Sequence, residues 1–309
     1  MITLRQLEFA LAVAKHRHFK RAAEECSISQ SALSLGIAEL EKQLDTQIFE
    51  RNNKQVLITP IGEEILTRAQ RVFSEVHDLT TRAHSHQTPL AYPMTVGIIP
   101  TIAPYLLPKV LPAMKSQYPN FRMTIVENQT ERLLEQVRYG HIDTAIIALP
   151  YPVEGLHTFD FWSENFFAVF PSDDVHAKLE TINADELATA NLMLLGEGHC
   201  LTDQALSVCH FDKNEMKSNF SEASLNTLIQ MALANMGTTL VPDMALDQLH
   251  LQNQNAVAIP LAEAGPHRHI AFVTRLNYAR VDDVNLLGEV FGEALHADKD
   301  AKKNSEHTA

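Results

Sequence analysis

The sequence predicts two parts of different class: a small, mostly helical N-terminal part and a larger C-terminal α/β part. Three observations predict it. Apolar residues recur at helical spacing from Leu4 to Ala83, broken by one hairpin pattern. From Met94 onward, short apolar runs alternate with helical stretches. Between them, His84-Ser-His-Gln-Thr-Pro89 has no apolar period and reads as a linker.

In the first part, Leu4, Leu7, Ala10, Leu11 and Ala14 form one stripe of a helix over residues 3–16. Phe19, Ala22, Ala23 and Cys26 mark a second, short helix. Ser27-Ile28-Ser29 is a turn, and Ser29 is a good N-cap. Leu33, Ile37, Leu40 and Leu44 give a third helix, whose other faces carry Gln30, Ser31, Ser34 and Glu41. Three short helices around a tight turn read as a helix-turn-helix, with an ordinary three-helix bundle as the alternative. In the former, the later helix enters the major groove of double-stranded DNA. Gln30, Ser31 and Ser34 are side chains of the type that hydrogen-bond bases or phosphates. Residues 49–54 and 56–59 flank an Asn-rich turn, a wing with Arg51 and Lys54 near its tip to meet phosphate. The alternative for these two cations is a solvated turn.

Thr59-Pro60 starts another helix, cap then proline. Ile61, Ile65, Ala69, Val72, Val76, Leu79 and Ala83 follow in a heptad-like seam, suited to a second copy or to the chain's own domain.

In the second part, strands are expected at 94–99, 123–126, 143–148, 166–170, 192–195, 238–241, 257–259 and 270–274, mainly parallel. Helices are expected at 105–118, 130–139, 224–234 and 284–295. Ligands of such sheets sit beyond the carboxyl ends of strands, where Thr101 and Thr130 fall. Either threonine also suits a helix cap. The charged tail, 298–309, has no apolar anchor and is expected to be disordered.

Composition bounds the function. The 309 residues suit about two domains. No run of 18 apolar residues exists, so no transmembrane helix is expected, and no signal pattern opens the chain, so the expected location is cytoplasmic. Net charge is −13, yet in residues 1–88 eleven basic residues balance eleven acidic ones, so the whole deficit lies later. The neutral N-terminal part is the one able to meet phosphate. No histidine or cysteine cluster suggests a metal, and no cofactor is implied.

Two of the three cysteines, Cys200 and Cys209, fall in the segment from Gly196 to His210. Glycines at 196 and 198 mark a loop, and 203–208 suits a short helix. A cysteine beside His199 and ahead of a helix start is in a setting that lowers a thiol pKa. A second cysteine within reach can trap the oxidised first as a disulfide. The alternative is a pair of small buried hydrophobes.

Taken together the chain resembles a LysR-type transcriptional regulator along essentially its whole length. The residues carrying the match are Leu7-Glu-Phe9, Phe19-Lys-Arg-Ala-Ala-Glu-Glu-Cys-Ser-Ile-Ser-Gln-Ser-Ala-Leu-Ser34, Ile37-Ala-Glu-Leu-Glu41, Leu44 and Phe49-Glu-Arg-Asn52. Within that family it is similar to the hydrogen peroxide sensors, through residues 97–108, Gln129-Thr130 and Gly198-His-Cys-Leu-Thr-Asp-Gln-Ala205 with Cys209. The resemblance implies a winged helix-turn-helix at 1–59, a linker dimerisation helix at 60–88, and a two-lobed, periplasmic-binding-protein-like sensor at 91–297. The chain should cross between lobes near Trp162 and near Arg268. It also implies a peroxidatic Cys200 and a resolving Cys209, with Thr101, Thr130, His199, Asp203 and Arg268 positioning peroxide and stabilising thiolate. The implied partners are promoter DNA, hydrogen peroxide, RNA polymerase, further copies in a homotetramer, and a glutaredoxin- or thioredoxin-type reductant. The chain departs at Thr202, where the best-known peroxide sensors carry a basic residue, and in Ser-Gln-Ser-Ala-Leu-Ser for Ser-Gln-Pro-Thr-Leu-Ser. The alternatives are a regulator that binds a small metabolite with silent cysteines, and a thiol peroxidase.

Overall fold

The computed structural model describes residues 1–51, 56–85, 89–196, 198–211, 224–249 and 255–306. It divides into two units, Met1–His86 and Gln87–Ala309.

The first unit holds α1 (Leu4–His16), α2 (Phe19–Glu25), α3 (Gln30–Leu44), the hairpin β1 (Phe49–Arg51) and β2 (Val56–Ile58), and α4 (Pro60–Ser85). Its helix starts are capped by side chains. Thr3 and Gln6 form a reciprocal capping box on α1. The Ser29 hydroxyl accepts from Ala32 N–H at 3.2 Å on α3. Phe9, Val13, Ala22, Leu33, Ile37, Leu40 and Phe49 close one core, which Leu66 of α4 completes. Glu41 accepts from the N–H groups of Ile48 and Phe49, and so fixes where the wing leaves α3.

The second unit has two sheets. The five-stranded sheet has the order β4 (Met123–Glu127), β3 (Met94–Ile98), β5 (Thr144–Leu149), β10 (Arg268–Arg275), β6 (Leu156–Glu164). α5 (Ala103–Gln117), α6 (Thr130–Arg138) and α11 (Val281–Glu306) accompany it. The three-stranded sheet has the order β8 (Thr239–Pro242), β7 (Phe166–Pro171), β9 (Ala256–Pro260). With it go α7 (Ala184–Thr189), α8 (Cys200–Val208), α9 (Leu225–Leu233) and α10 (Asp243–Leu249). The chain passes from β6 to β7 through Asn165 and returns from β9 to β10 through residues 261–267. The crossings touch: a Cβ on Gly265 would lie 1.9 Å from Asn165 Oδ1, so only glycine fits there.

The structure differs from the sequence reading in several places, and it adds the short helices α7 and α10. Among the described strand ladders of this unit, β4–β3 and β3–β5 are parallel and the others antiparallel. Apolar runs identify strands but not their direction, and β10 re-enters the first sheet from the other lobe. β6 was not expected; it is an edge strand with irregular burial. Residues 192–195 form only one bridge, Leu192 to Thr238. Finally, order does not stop at residue 298, because α11 runs to Glu306. Polar anchors replace the missing apolar one: Asp298 lies 3.0 Å from Lys109 Nζ, and Lys299 sits 5.7 Å over the Trp162 ring.

Candidate functional site

The parallel strands bring their carboxyl ends to one edge. Thr101 follows β3, Thr130 opens α6 just after β4, and Ala148 lies near the end of β5. β10 runs antiparallel to β5, so its first residue, Arg268, arrives at that same edge. α8 supplies Cys200 from the other lobe, as its first residue. Gly198 shapes the approach: its φ is +87°, and a Cβ there would lie 2.9 Å from Gln129 Oε1.

Cys200 is 3% exposed, and Thr101 and Thr130 are equally deep. Burial pushes the Cys200 thiol up from its ordinary value, with Asp203 adding to it; the Arg268 charge, the Thr130 hydroxyl and the Ala148 backbone pull the other way. The depressed thiol expected from the sequence is therefore not found. Loss of solvation outweighs the local positive charge. His199 does not supply the missing charge, because its own half-burial favours the neutral ring. Asp203 is exposed on the first turn of α8. The Thr130 hydroxyl meets no partner in good hydrogen-bond geometry, although it acts on the Cys200 sulfur. It is a buried polar atom directed at the thiol.

Arg268 is fully buried. Its Nε donates to Glu164 Oε1 at 2.8 Å, and its Nη2 lies 2.7 Å from the same oxygen. Nη2 also donates to the Thr101 carbonyl at 3.3 Å, and Nη1 reaches the Thr101 hydroxyl at 3.5 Å. Thr202 turns inward and donates to the Leu195 carbonyl at 2.9 Å.

Cys209 caps the far end of α8 and is also buried. Burial and the Glu263 carboxylate push its thiol up to about 12. Both cysteines are free thiols, with the whole of α8 between them.

In the other unit, Gln30 and Ser31 stand exposed on the first turn of α3, and Ser34 is half-buried one turn on. Ser31 shares a 3.0 Å hydrogen bond with Ser29. Arg51 ends β1, and Lys54 lies outside the described residues.

A helix-turn-helix model described as that of bacterial regulatory proteins of the lysR family matches residues 4–63, and a LysR substrate binding domain model matches residues 88–295. The chain belongs to the LysR family. It is 34% identical over 88% of its length to the HTH-type transcriptional regulator EstR of Acinetobacter baylyi, covering 90% of that protein. It is 37% identical over 95% of its length to a probable hydrogen peroxide-inducible genes activator of Mycobacterium avium, covering 94% of it. A full-length OxyR of Pseudomonas aeruginosa, solved with a cysteine-to-aspartate change, superposes with a TM-score of 0.77 at 32% identity, covering 94% of this chain and 95% of that one. α1 to α3 thus lie in a LysR helix-turn-helix, and the two-sheet unit has the fold of a LysR substrate binding domain.

Several residues around Cys200 and on α3 are not legible in the sequence. Glu164 ends an unexpected strand, and its partner Arg268 is 104 positions away. The Ala148 contribution comes from backbone, which carries no residue signature. Tyr151, half-buried, feels the charges of Cys200 and Asp203. Leu35 on α3 is 74% exposed, an apolar group turned outward from the helix-turn-helix. Its helical phase, off the stripe of Leu33 and Ile37, was the available signal.

Proposed function

We propose that the chain is a hydrogen peroxide-responsive transcriptional regulator whose redox switch is Cys200 with Cys209. Likeness supports this reading: a relative named as a probable hydrogen peroxide-inducible genes activator and a full-length OxyR match along most of the chain, as EstR also does. The observation that carries it is the Cys200 thiol itself, buried where the Arg268 charge and the Thr130 hydroxyl both act on the sulfur.

In the proposed reaction, the Cys200 sulfur attacks one oxygen of hydrogen peroxide and the O–O bond breaks. Cys200 becomes a sulfenic acid, and the departing oxygen takes up the thiol proton and leaves as water. Thr101 and Thr130 hold the peroxide, and Arg268 stabilises negative charge developing at sulfur. The Cys209 sulfur then attacks Cys200, forming the disulfide and releasing a second water. Two thiols are oxidised by two electrons in all, and the peroxide is reduced. A glutaredoxin- or thioredoxin-type dithiol resets the pair.

The disulfide switches a surface between two packed states and re-spaces paired DNA-binding heads. Those heads read promoter DNA with Gln30, Ser31 and Ser34, with Arg51 and Lys54 on phosphate, and the regulator acts on RNA polymerase as a cytoplasmic tetramer. The apolar residues Val72, Val76 and Leu79 stand exposed along α4, as a pairing seam requires.

The test treats reduced full-length protein briefly with a low dose of hydrogen peroxide, then traps free thiols and maps them by mass. The expected result is a Cys200–Cys209 disulfide with Cys26 still free. Trapping of both cysteines as thiols after peroxide would overturn the reading in favour of a metabolite-responsive regulator.

A further inference from the structure

Glu164 and Arg268 face each other across the β6–β10 ladder, at the point where both strands enter the lobe crossings. Both side chains are fully buried. The Glu164 carboxylate divides its two oxygens between the lobes. Oε1 accepts from Arg268, while Oε2 accepts the Met244 N–H at 2.8 Å, from the first turn of α10. Arg268 in turn spans to Thr101 beyond β3. One carboxylate thus sets the orientation of the only fully buried arginine among the described residues, and ties it to the lobe that carries Cys200.

We infer that Glu164 is a positioning residue for the Cys200 thiol, holding the Arg268 guanidinium in place and tempering its charge, so that lobe alignment sets the positive field at the sulfur. Arg268 is the strongest of the influences favouring Cys200 thiolate, and in a low-dielectric interior its field depends on where it is held and what neutralises it. The other titratable groups coupled to this site are Asp203 at the start of α8, Tyr151 after β5, and Tyr105 of α5 beside Arg268. None of these touches the Glu164 carboxylate among the contacts described, so a change at Glu164 reaches the sulfur through Arg268. The inference rests on the reading of Cys200 as the oxidised thiol.

The test measures the rate of iodoacetamide trapping at Cys200 against pH in the full-length reduced protein, without peroxide. Glu164→Gln keeps the shape and removes the charge. Its Cys200 profile is expected to move to lower pH by about one unit, an increase in trapping at neutral pH on the order of tenfold. A midpoint left unchanged, or raised, overturns the inference, because a purely structural brace would not acidify the thiol. Should the unpaired arginine prevent folding, the double variant Glu164→Gln/Arg268→Met leaves no unpaired buried charge. Its midpoint is expected to lie above that of the parent, and an unchanged midpoint again overturns the inference. Failure of the functional reading looks different: parent Cys200 would then resist peroxide while the trapping profile still shifted.

Discussion

Cys200 and Cys209 bound the same short helix and are equally buried, at 3% and 2% exposure, yet the charges that act most strongly on them differ in sign. Arg268 acts on Cys200 and Glu263 acts on Cys209. Burial alone makes a thiol inert, so two buried cysteines by themselves describe a core and not a switch. The difference in charge assigns an order. The cysteine under a cation can lose its proton to a reaction that builds negative charge at sulfur. The one beside a carboxylate stays protonated until its surroundings change.

The largest effect expected on this contrast comes from Arg268→Met. It removes the cation from Cys200 and strands Glu164, a change that costs about 3–5 kcal/mol for a broken buried pair. Trapping of Cys200 at neutral pH is expected to fall at least about tenfold, with a lowered denaturant midpoint and Cys209 unaffected. Equal losses at both cysteines would mean that the fold has loosened and that the charge contrast explains nothing.

A smaller effect is expected from Glu263→Gln. The Glu263 Oε1 atom accepts the Ala184 N–H at 3.0 Å, its Oε2 is buried without a hydrogen-bond partner, and its charge acts on Cys209. Removing it should acidify Cys209 by about half a unit, roughly threefold in trapping rate at pH 8, and leave Cys200 where it was. The raised thiol also has a signature in stability. A folded pKa of about 12 lies above the unfolded value, so the contribution is complete below about pH 8.5 and is lost as pH rises toward 12. Urea melts should therefore weaken steadily on the alkaline side, and less so in Cys209→Ala. A flat alkaline profile in the parent would remove the claim that Cys209 is held protonated.

The halves of this contrast were unequally legible in the sequence. Amphipathic helices α1, α3 and α4 declare themselves because one residue in three or four must face a core. Cys200, Cys209, Thr101, Thr130 and Arg268 were all singled out, since motif and position after a strand are local properties. What assembles them is not local. Glu164 meets Arg268 only because β6 pairs antiparallel with β10, and no periodicity reports pairing direction. The sign of the Cys200 shift is not legible in the sequence for a related reason: nearby charge can be read along a chain, whereas burial is set by everything packed around it. The end of α11 shows the same limit, held by Lys109 and Trp162 from distant segments.

The subtlest test concerns α8 itself. Nine residues at helical rise separate the two cysteines by about 13 Å, whereas a disulfide needs its Cα atoms within roughly 7 Å. The structure has α8 helical from Cys200 to Val208, so Cys209 meets Cys200 only after that helix opens. Its stability should then govern the second step and not the first. Ser207 is exposed near the end of α8, so changing it alters helix propensity with little change in packing. Ser207→Ala favours the helix and Ser207→Gly disfavours it, each by about 0.5 kcal/mol, which is roughly a factor of two in the population of opened helix. Quenched-flow trapping with a sulfenic acid reagent separates the steps. Sulfenic acid should form at the parent rate in both variants, while the disulfide forms about half as fast with alanine and about twice as fast with glycine. If both variants close the disulfide at the parent rate, opening of α8 is not the slow step, and the contrast between the two cysteines lies in their charges alone.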